Sequence, residues 1–407
     1  MKNLSTSNRV RLLLLSAAIF STTLTGCVQT PDAAPAEEAG LHARLLTLDT
    51  HLDTPVHFAR PEWSFGDRHT LEEDLAQLDI PRMADGNLDG GFFVVFTGQG
   101  PLTDEGYAAA KTEALRRSDV IDTVIDANSA FIGLVTKASE AQELNSQGRL
   151  IAFKSIENSY PMGLELSNAE EFYNRGVRMA GPVHSLNNQF ADSSNDKTKY
   201  GGLSDLGRDW VSEMNRLGIL IDGSHASDAA FDQMVELSET PLVLSHTSPR
   251  ALFDHPRNLD DERIRKLAES GGAICVSAIY LSHINMTEER SELWDKLDQI
   301  SSLSPREQSD LSRRWQALNQ SDPLWSDNFE RYMNSLLHVI DIAGVDHVCF
   351  GADWDGGGGF QGIEDITDLP KITNRLMAEG YSETDIEKMW SGNLLRLLTQ
   401  AQAAREK

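Results

Sequence analysis

Short apolar runs separated by longer amphipathic stretches recur along most of this chain. Eight of them have the length and near-continuous apolar character of strands buried on both faces: RLLTLDT (44–50), GGFFVVFTG (90–98), LIAFKSIE (150–157), VRMAGPVH (177–184), GILIDGSH (218–225), PLVLSH (241–246), GGAICVSAI (271–279) and HVCFGAD (347–353). Helices are legible between them. The stretch SDLGRDWVSEMNRLG (204–218) opens on a serine cap, ends at a glycine, and repeats Leu206, Trp210, Val211, Met214 and Leu217 at helical spacing. Eight strands alternating with helices predict a parallel (β/α)8 (TIM) barrel in one domain over residues 41–407. A ninth apolar run, FIGLVTKA (131–138), carries no polar group suited to a site and is assigned to a short peripheral strand between the second and third barrel strands. Residues 281–343, rich in charge and Trp, are too long for an ordinary connection and predict a helical insertion of two or three helices, a lid over the barrel mouth.

The N-terminus has a different character. Lys2, Arg9 and Arg11 precede LLLLSAAIF, a stretch too short to span a bilayer, which marks residues 1–26 as a leader. The following LTGC resembles the lipobox of bacterial lipoproteins, which implies lipidation of Cys27 and anchoring in the bacterial cell envelope, at the outer membrane on its periplasmic side or surface, given Val28 at the next position. Residues 27–40 lack apolar periodicity and read as a flexible tether. A formal net charge of -26 argues against nucleic acid or anionic lipid as a partner. Cys275 and Cys349 both fall in strand-like runs and are expected as core residues without a disulfide.

The chemistry concentrates where the strands stop. In LDTHLDTP, His51 and Asp53 stand two apart and project to one side of a strand that Pro55 ends. Glu157, His184, His225, His246 and Asp353 close five further runs, so six of the eight strands end in a ligand-type or acid–base side chain. Barrel active sites gather at the C-terminal face from several strand ends, which brings these groups around one axis. Three histidines, one aspartate and one glutamate suit a pair of zinc ions, with a carboxylate bridging them, and water shared by two such cations becomes a hydroxide nucleophile near neutral pH. HExxH and GxSxG are absent, and the glycine run 356–359 lacks the Lys-Ser/Thr of a phosphate loop, so it is expected as a flexible loop. His255, His283 and His347 lie outside the series of strand ends and are expected at the surface or at helix ends.

At this point the chain resembles the membrane (renal-type) dipeptidases, a branch of the amidohydrolase superfamily, over nearly all of residues 45–400. DTHLDTP, SIEN, GPVHSLNN, YGGLSDLG, EMNRLGILIDGSH, LSHTSPRAL, HPRNLDD, GADWDG and SGNLLRLL carry the resemblance. It implies that His51 and Asp53 bind the first zinc, that Glu157 bridges, and that His225 and His246 bind the second. It also implies that His184 contacts the tetrahedral oxyanion, Arg257 the substrate's C-terminal carboxylate, and Asp353 the transferred proton or the free amine. Each role suits its side chain: an Arg fork matches a carboxylate, an imidazole stabilises oxyanion charge, and a carboxylate shuttles a proton. Departures occur at Asn158 and Ser159, where the family has Gly-Gly, at Thr50 and Leu52, where it has Gly and Asn, and at Tyr280, one position late for the family's N-F-Y run.

The expected activity is therefore that of a binuclear zinc exopeptidase cleaving dipeptides, with the membrane met only through the N-terminal lipid and a homodimer left open. Two alternatives stand beside it: another hydrolase on the same metal scaffold, acting on a cyclic imide, lactone or phosphoester, and a non-catalytic surface-binding lipoprotein. Arg257 favours the dipeptidase, since lactones and phosphotriesters offer no carboxylate for it.

Overall fold

A computed structural model describes residues 40–297 and 299–405; the leader and Cys27 lie outside the described residues. Nine strands follow in order: Leu48–Leu52 (β1), Gly90–Val95 (β2), Ile132–Leu134 (β3), Leu150–Ile156 (β4), Val177–Ala180 (β5), Leu220–Ile221 (β6), Val243–Thr247 (β7), Ala273–Val276 (β8) and Val348–Phe350 (β9). All the pairings between them are parallel, in the orders β1-β2-β4-β5-β6 and β7-β8-β9. Parallel bridges Asp222↔Val243 and Leu52↔Trp354 join the two arcs at both seams and close the (β/α)8 barrel. The eight predicted wall strands are all present. β3 is the peripheral one: it pairs with the first residues of β4, and β5 takes over that edge from Lys154 onward.

Strand alternation decides what fills the barrel. Leu48, Phe92, Phe153, Met179, Leu220, Val243, Ala273 and Cys349, one from each wall strand, form one apolar cluster with Leu394, Leu397 and Leu398 of the last helix, Asn393–Arg405. On the opposite face of β4, Lys154 Nζ reaches Asp122 Oδ1 (2.7 Å) on the surrounding helix Asp104–Ala127. Cys275 and Cys349 correct an expectation. They are register partners on β8 and β9 and form a disulfide inside this cluster.

The helix Asp205–Leu217 forms as its sequence directs, with Ser204 capping the Gly207 N–H and Gly218 ending it at φ 69°. The insertion after β8 contains three helices, Glu288–Leu297, Pro305–Ser321 and Phe329–Ala343. Its first part has an apolar cluster of its own, built on Leu293, Ile300, Leu311, Trp315 and Trp325. It is tied to the loop after β9 by Trp325 Nε1, which donates to the Gly357 carbonyl (2.9 Å). Among the described residues no helix is long and apolar enough to cross a membrane.

Candidate active site

The expected ligand groups meet at the C-terminal ends of the strands. His51 lies in β1 and His246 in β7, Asp53 and Glu157 directly follow β1 and β4, and His184, His225 and Asp353 lie three or four residues past β5, β6 and β9. Those last three are therefore loop residues. His225 and Asp353 take left-handed backbone (φ 66° and 65°), as does Tyr280 (φ 51°), a cost of order 1–3 kcal/mol each that a well-braced surrounding must offset.

Glu157 Oε1 is the hub. Nε2 of His225, His246, His51 and His184 lie 2.9, 3.4, 3.8 and 3.9 Å from it. His51 Nε2 is also 3.4 Å from Asp53 Oδ2 and 3.7 Å from Asp353 Oδ1. Burial opposes a charge on His51, yet Asp53, Glu157 and Asp353 push its pKa up to about 10. Burial raises Glu157 to about 8 and Asp353 to about 7 despite the pull of His51. His225 and His246 are held well below the ordinary imidazole value by burial and by neighbouring cations, so both rings are neutral. Crowded carboxylates call for positive charge, and neutral imidazoles offer lone pairs.

Hydrogen bonds behind the site fix which nitrogen of His246 faces it. Ser245 Oγ donates to Asp222 Oδ2 and so must accept from His246 Nδ1 (2.7 Å), leaving His246 Nε2 unprotonated toward Glu157. Asp222 Oδ1 in turn accepts the N–H groups of Ser224 and Ser245, each at 2.9 Å. Asp49 does similar work under β1, taking the N–H of His51 (2.8 Å) and that of Ala352 (3.1 Å) beyond β9. Asp222, Ser245 and Asp49 are functional residues that strand-end position alone does not single out, although each stands within three residues of a predicted ligand and Asp49 continues the alternation of His51 and Asp53.

The donor set suits metal. His51 Nε2 is buried without a hydrogen-bond partner, and His51/Asp53/Glu157, Glu157/His225/His246 and His51/His246/Asp353 each bring their ligand atoms within 4.8 Å of one another. Glu157 belongs to the first two groups, so one carboxylate can serve two cations.

Arg257 is buried beside this cluster. Its Nη1 donates to Thr247 Oγ1 (2.9 Å) and its Nη2 to the His246 carbonyl (2.8 Å), while Nε has no protein partner. Tyr280 is brought to the same loop: its ring stacks on His255 (4.2 Å), whose Nδ1 accepts the Arg257 N–H, and Asn258 bonds its carbonyl. His255 is therefore half-buried next to the site, while His283 is exposed and His347 ends the 3-10 helix Val345–His347. Asn158 and Ser159 are absorbed into the scaffold, Asn158 Oδ1 accepting from Asn188 and Ser159 Oγ donating to the Gly181 carbonyl. The glycine run is not the free loop expected of it. Asp355 and the Gly356 and Gly358 N–H groups, which donate to the Asp353 carbonyl, fold it back, and a β-carbon at Gly356 would overlap the carboxylates of Asp53 and Asp353.

A closed parallel barrel with neutral imidazoles and surplus carboxylates converging on its C-terminal axis defines a hydrolase fold of the metal-dependent amidohydrolase type. Residues 36–407 match the profile of the membrane dipeptidases, peptidase family M19, and the chain belongs to that family. Its activity class is accordingly that of a metal-dependent dipeptidase. Dipeptidase tcpJ of Claviceps purpurea is 27% identical over 363 residues, covering 87% of this chain and 76% of its own length. Among solved structures, the "probable dipeptidase PvdM" of Pseudomonas aeruginosa superimposes with a TM-score of 0.75 at 27% identity, over 89% of this chain and 97% of that one. A metallo peptidase of Rhodobacter sphaeroides, solved with a phosphinate mimic of the dipeptide L-Ala-D-Ala, gives 0.70 at 25% identity over 88% and 99%.

Proposed function

We propose that this protein is a binuclear zinc dipeptidase in which His51 and Asp53 hold one ion, His225 and His246 the other, and Glu157 both. The single observation that carries the reading is the convergence of four imidazole Nε2 atoms on Glu157 Oε1 within 3.9 Å. When bound, two such cations polarise the scissile carbonyl and lower the pKa of water enough to supply a nucleophile at neutral pH.

The chain's own groups do the rest. Arg257, with Nε unpartnered, anchors the substrate's C-terminal carboxylate through charge-assisted hydrogen bonds. Burial and Arg257 lower the pKa of His184 to about 4, so this ring is neutral. Its Nδ1 lies 3.2 Å from Ser185 Oγ; in the tautomer that carries the proton on Nε2, Nδ1 accepts from that hydroxyl and the Nε2–H donates to the developing oxyanion. Asp353 takes the proton released as water adds to the carbonyl carbon and returns it to the leaving nitrogen as the C–N bond breaks. A lipid anchor at Cys27, with residence in the cell envelope, belongs to the same proposal.

The test is zinc analysis of protein purified without chelator, combined with a dipeptide screen that includes D-residues at the C-terminal position, as in the Rhodobacter ligand. Close to two equivalents with turnover supports the reading. Turnover of lactones or phosphotriesters without any dipeptide would move the protein to the other hydrolases of this scaffold.

A further inference from the structure

A buried polar chain runs from the helical insertion to the loop that carries Asp353. We propose that it is a positioning relay, in which the insertion holds Asp353 in place through Gln308, Arg60, His57 and Asp355; the inference rests on the role given to Asp353 above. Gln308, on the helix Pro305–Ser321, spends its Nε2 on the carbonyls of Ile300 (3.1 Å) and Leu303 (2.9 Å), and its Oε1 accepts from Arg60 Nε (3.1 Å). Arg60 Nη1 lies 2.9 Å from His57 Nδ1. A guanidinium only donates, so Nδ1 is the acceptor and the His57 proton sits on Nε2. That Nε2 points at Asp355 Oδ1 (3.2 Å).

Asp355 is the end of the relay and has no exposed side-chain surface. It also accepts from Thr54 Oγ1 (2.6 Å) and the Gln77 N–H (2.7 Å), and its own N–H donates to Gln77 Oε1 (2.7 Å). It stands two residues after Asp353, in the same left-handed backbone (φ 65° for both). Between them the carbonyl of buried Trp354 accepts the Asp53 N–H (2.9 Å), and just beyond Asp355 lies Gly356, packed against both site carboxylates. A displacement of Asp355 therefore reaches Asp53 and Asp353 through one peptide on either side. The bond from Trp325 to the Gly357 carbonyl ties the same loop to the insertion a second time.

The relay is tested on the full, metal-loaded chain with Gln308→Leu, His57→Leu and His57→Gln, reading hydrogen exchange of residues 351–359 together with kcat and KM on one dipeptide. Gln308→Leu lies in the insertion, away from the site, and keeps the test informative should His57→Leu fold poorly. The leucine variants are expected to speed exchange of the Gly356 and Gly358 amides and to lower kcat by about 10- to 100-fold per metal-loaded chain, as misplacement of a reacting group does, with KM near wild type. His57→Gln keeps one acceptor and one donor and should recover most of both losses. A loop that exchanges at the wild-type rate, a faster loop with wild-type kcat, or a glutamine variant as impaired as the leucine one overturns the proposal. If the wild type turns over no dipeptide, the functional reading falls while the exchange result still decides the relay.

Discussion

Removing Arg257 probes substrate recognition, but its surroundings make a one-substrate measurement ambiguous. Arg257 is 4% exposed, and two of its guanidinium donors brace the end of β7, on Thr247 Oγ1 and on the carbonyl of His246 itself. Arg257→Ala thus loosens a ligand-bearing strand end as well as deleting the carboxylate anchor. Comparing a dipeptide with its C-terminal amide separates the two effects, because the loosening is common to both substrates and cancels. What remains is a charge-assisted contact of about 1.5–3 kcal/mol, equivalent to about 10- to 150-fold in kcat/KM. The assay is kcat/KM for both substrates with wild type and mutant, with bound metal measured on each protein. The wild type should prefer the free acid, and the mutant should lose that preference. Arg257→Lys keeps a point charge without the fork and should recover only part of it. Equal losses on acid and amide would remove Arg257 from the carboxylate site.

Three further perturbations follow from the same geometry. Asp353→Asn keeps the shape and removes the proton acceptor, so turnover should fall by about 100-fold or more with metal content unchanged; unchanged turnover would mean that another group moves the proton. Gly356→Ala forces a methyl group against Asp53 and Asp353 and should lower metal occupancy and activity together, while full occupancy with full activity would contradict the close approach. Burial raises Asp89, whose Oδ2 accepts the Thr47 N–H (2.8 Å), to about 6. A folded pKa above the ordinary aspartate value means that its contribution is complete below that value and is lost as pH rises to about 6. The Tm advantage of Asp89→Asn over wild type should accordingly be small near pH 4 and grow to a plateau above pH 6; a pH-independent difference would refute it.

The wall strands were legible because strands buried on both faces must be apolar almost throughout, and polar residues such as Glu157 and His246 stand out where a run ends. Their convergence followed from barrel geometry alone. Braces between distant segments could not be read that way. Cys275 and Cys349 become partners only through the register of β8 with β9, across the whole insertion. Asp222 and Ser245 look like ordinary loop and strand residues until β6 and β7 set one against the other behind His246. GADWDGGGG carried a flexible-loop signal because glycine serves both freedom and close approach; here Asp355 pins the loop, and its glycines admit Asp53 and Asp353 where a side chain would not fit.

The proposed joining of two metal sites by Glu157 can be probed by stripping the purified protein with chelator and titrating zinc back while following hydrolysis of one dipeptide. The stripped protein should show no turnover, and activity should rise with added zinc and level off at two equivalents per chain, with Glu157→Gln failing to reach that plateau. Turnover that survives stripping, or that is complete at one equivalent and indifferent to Glu157→Gln, would contradict it.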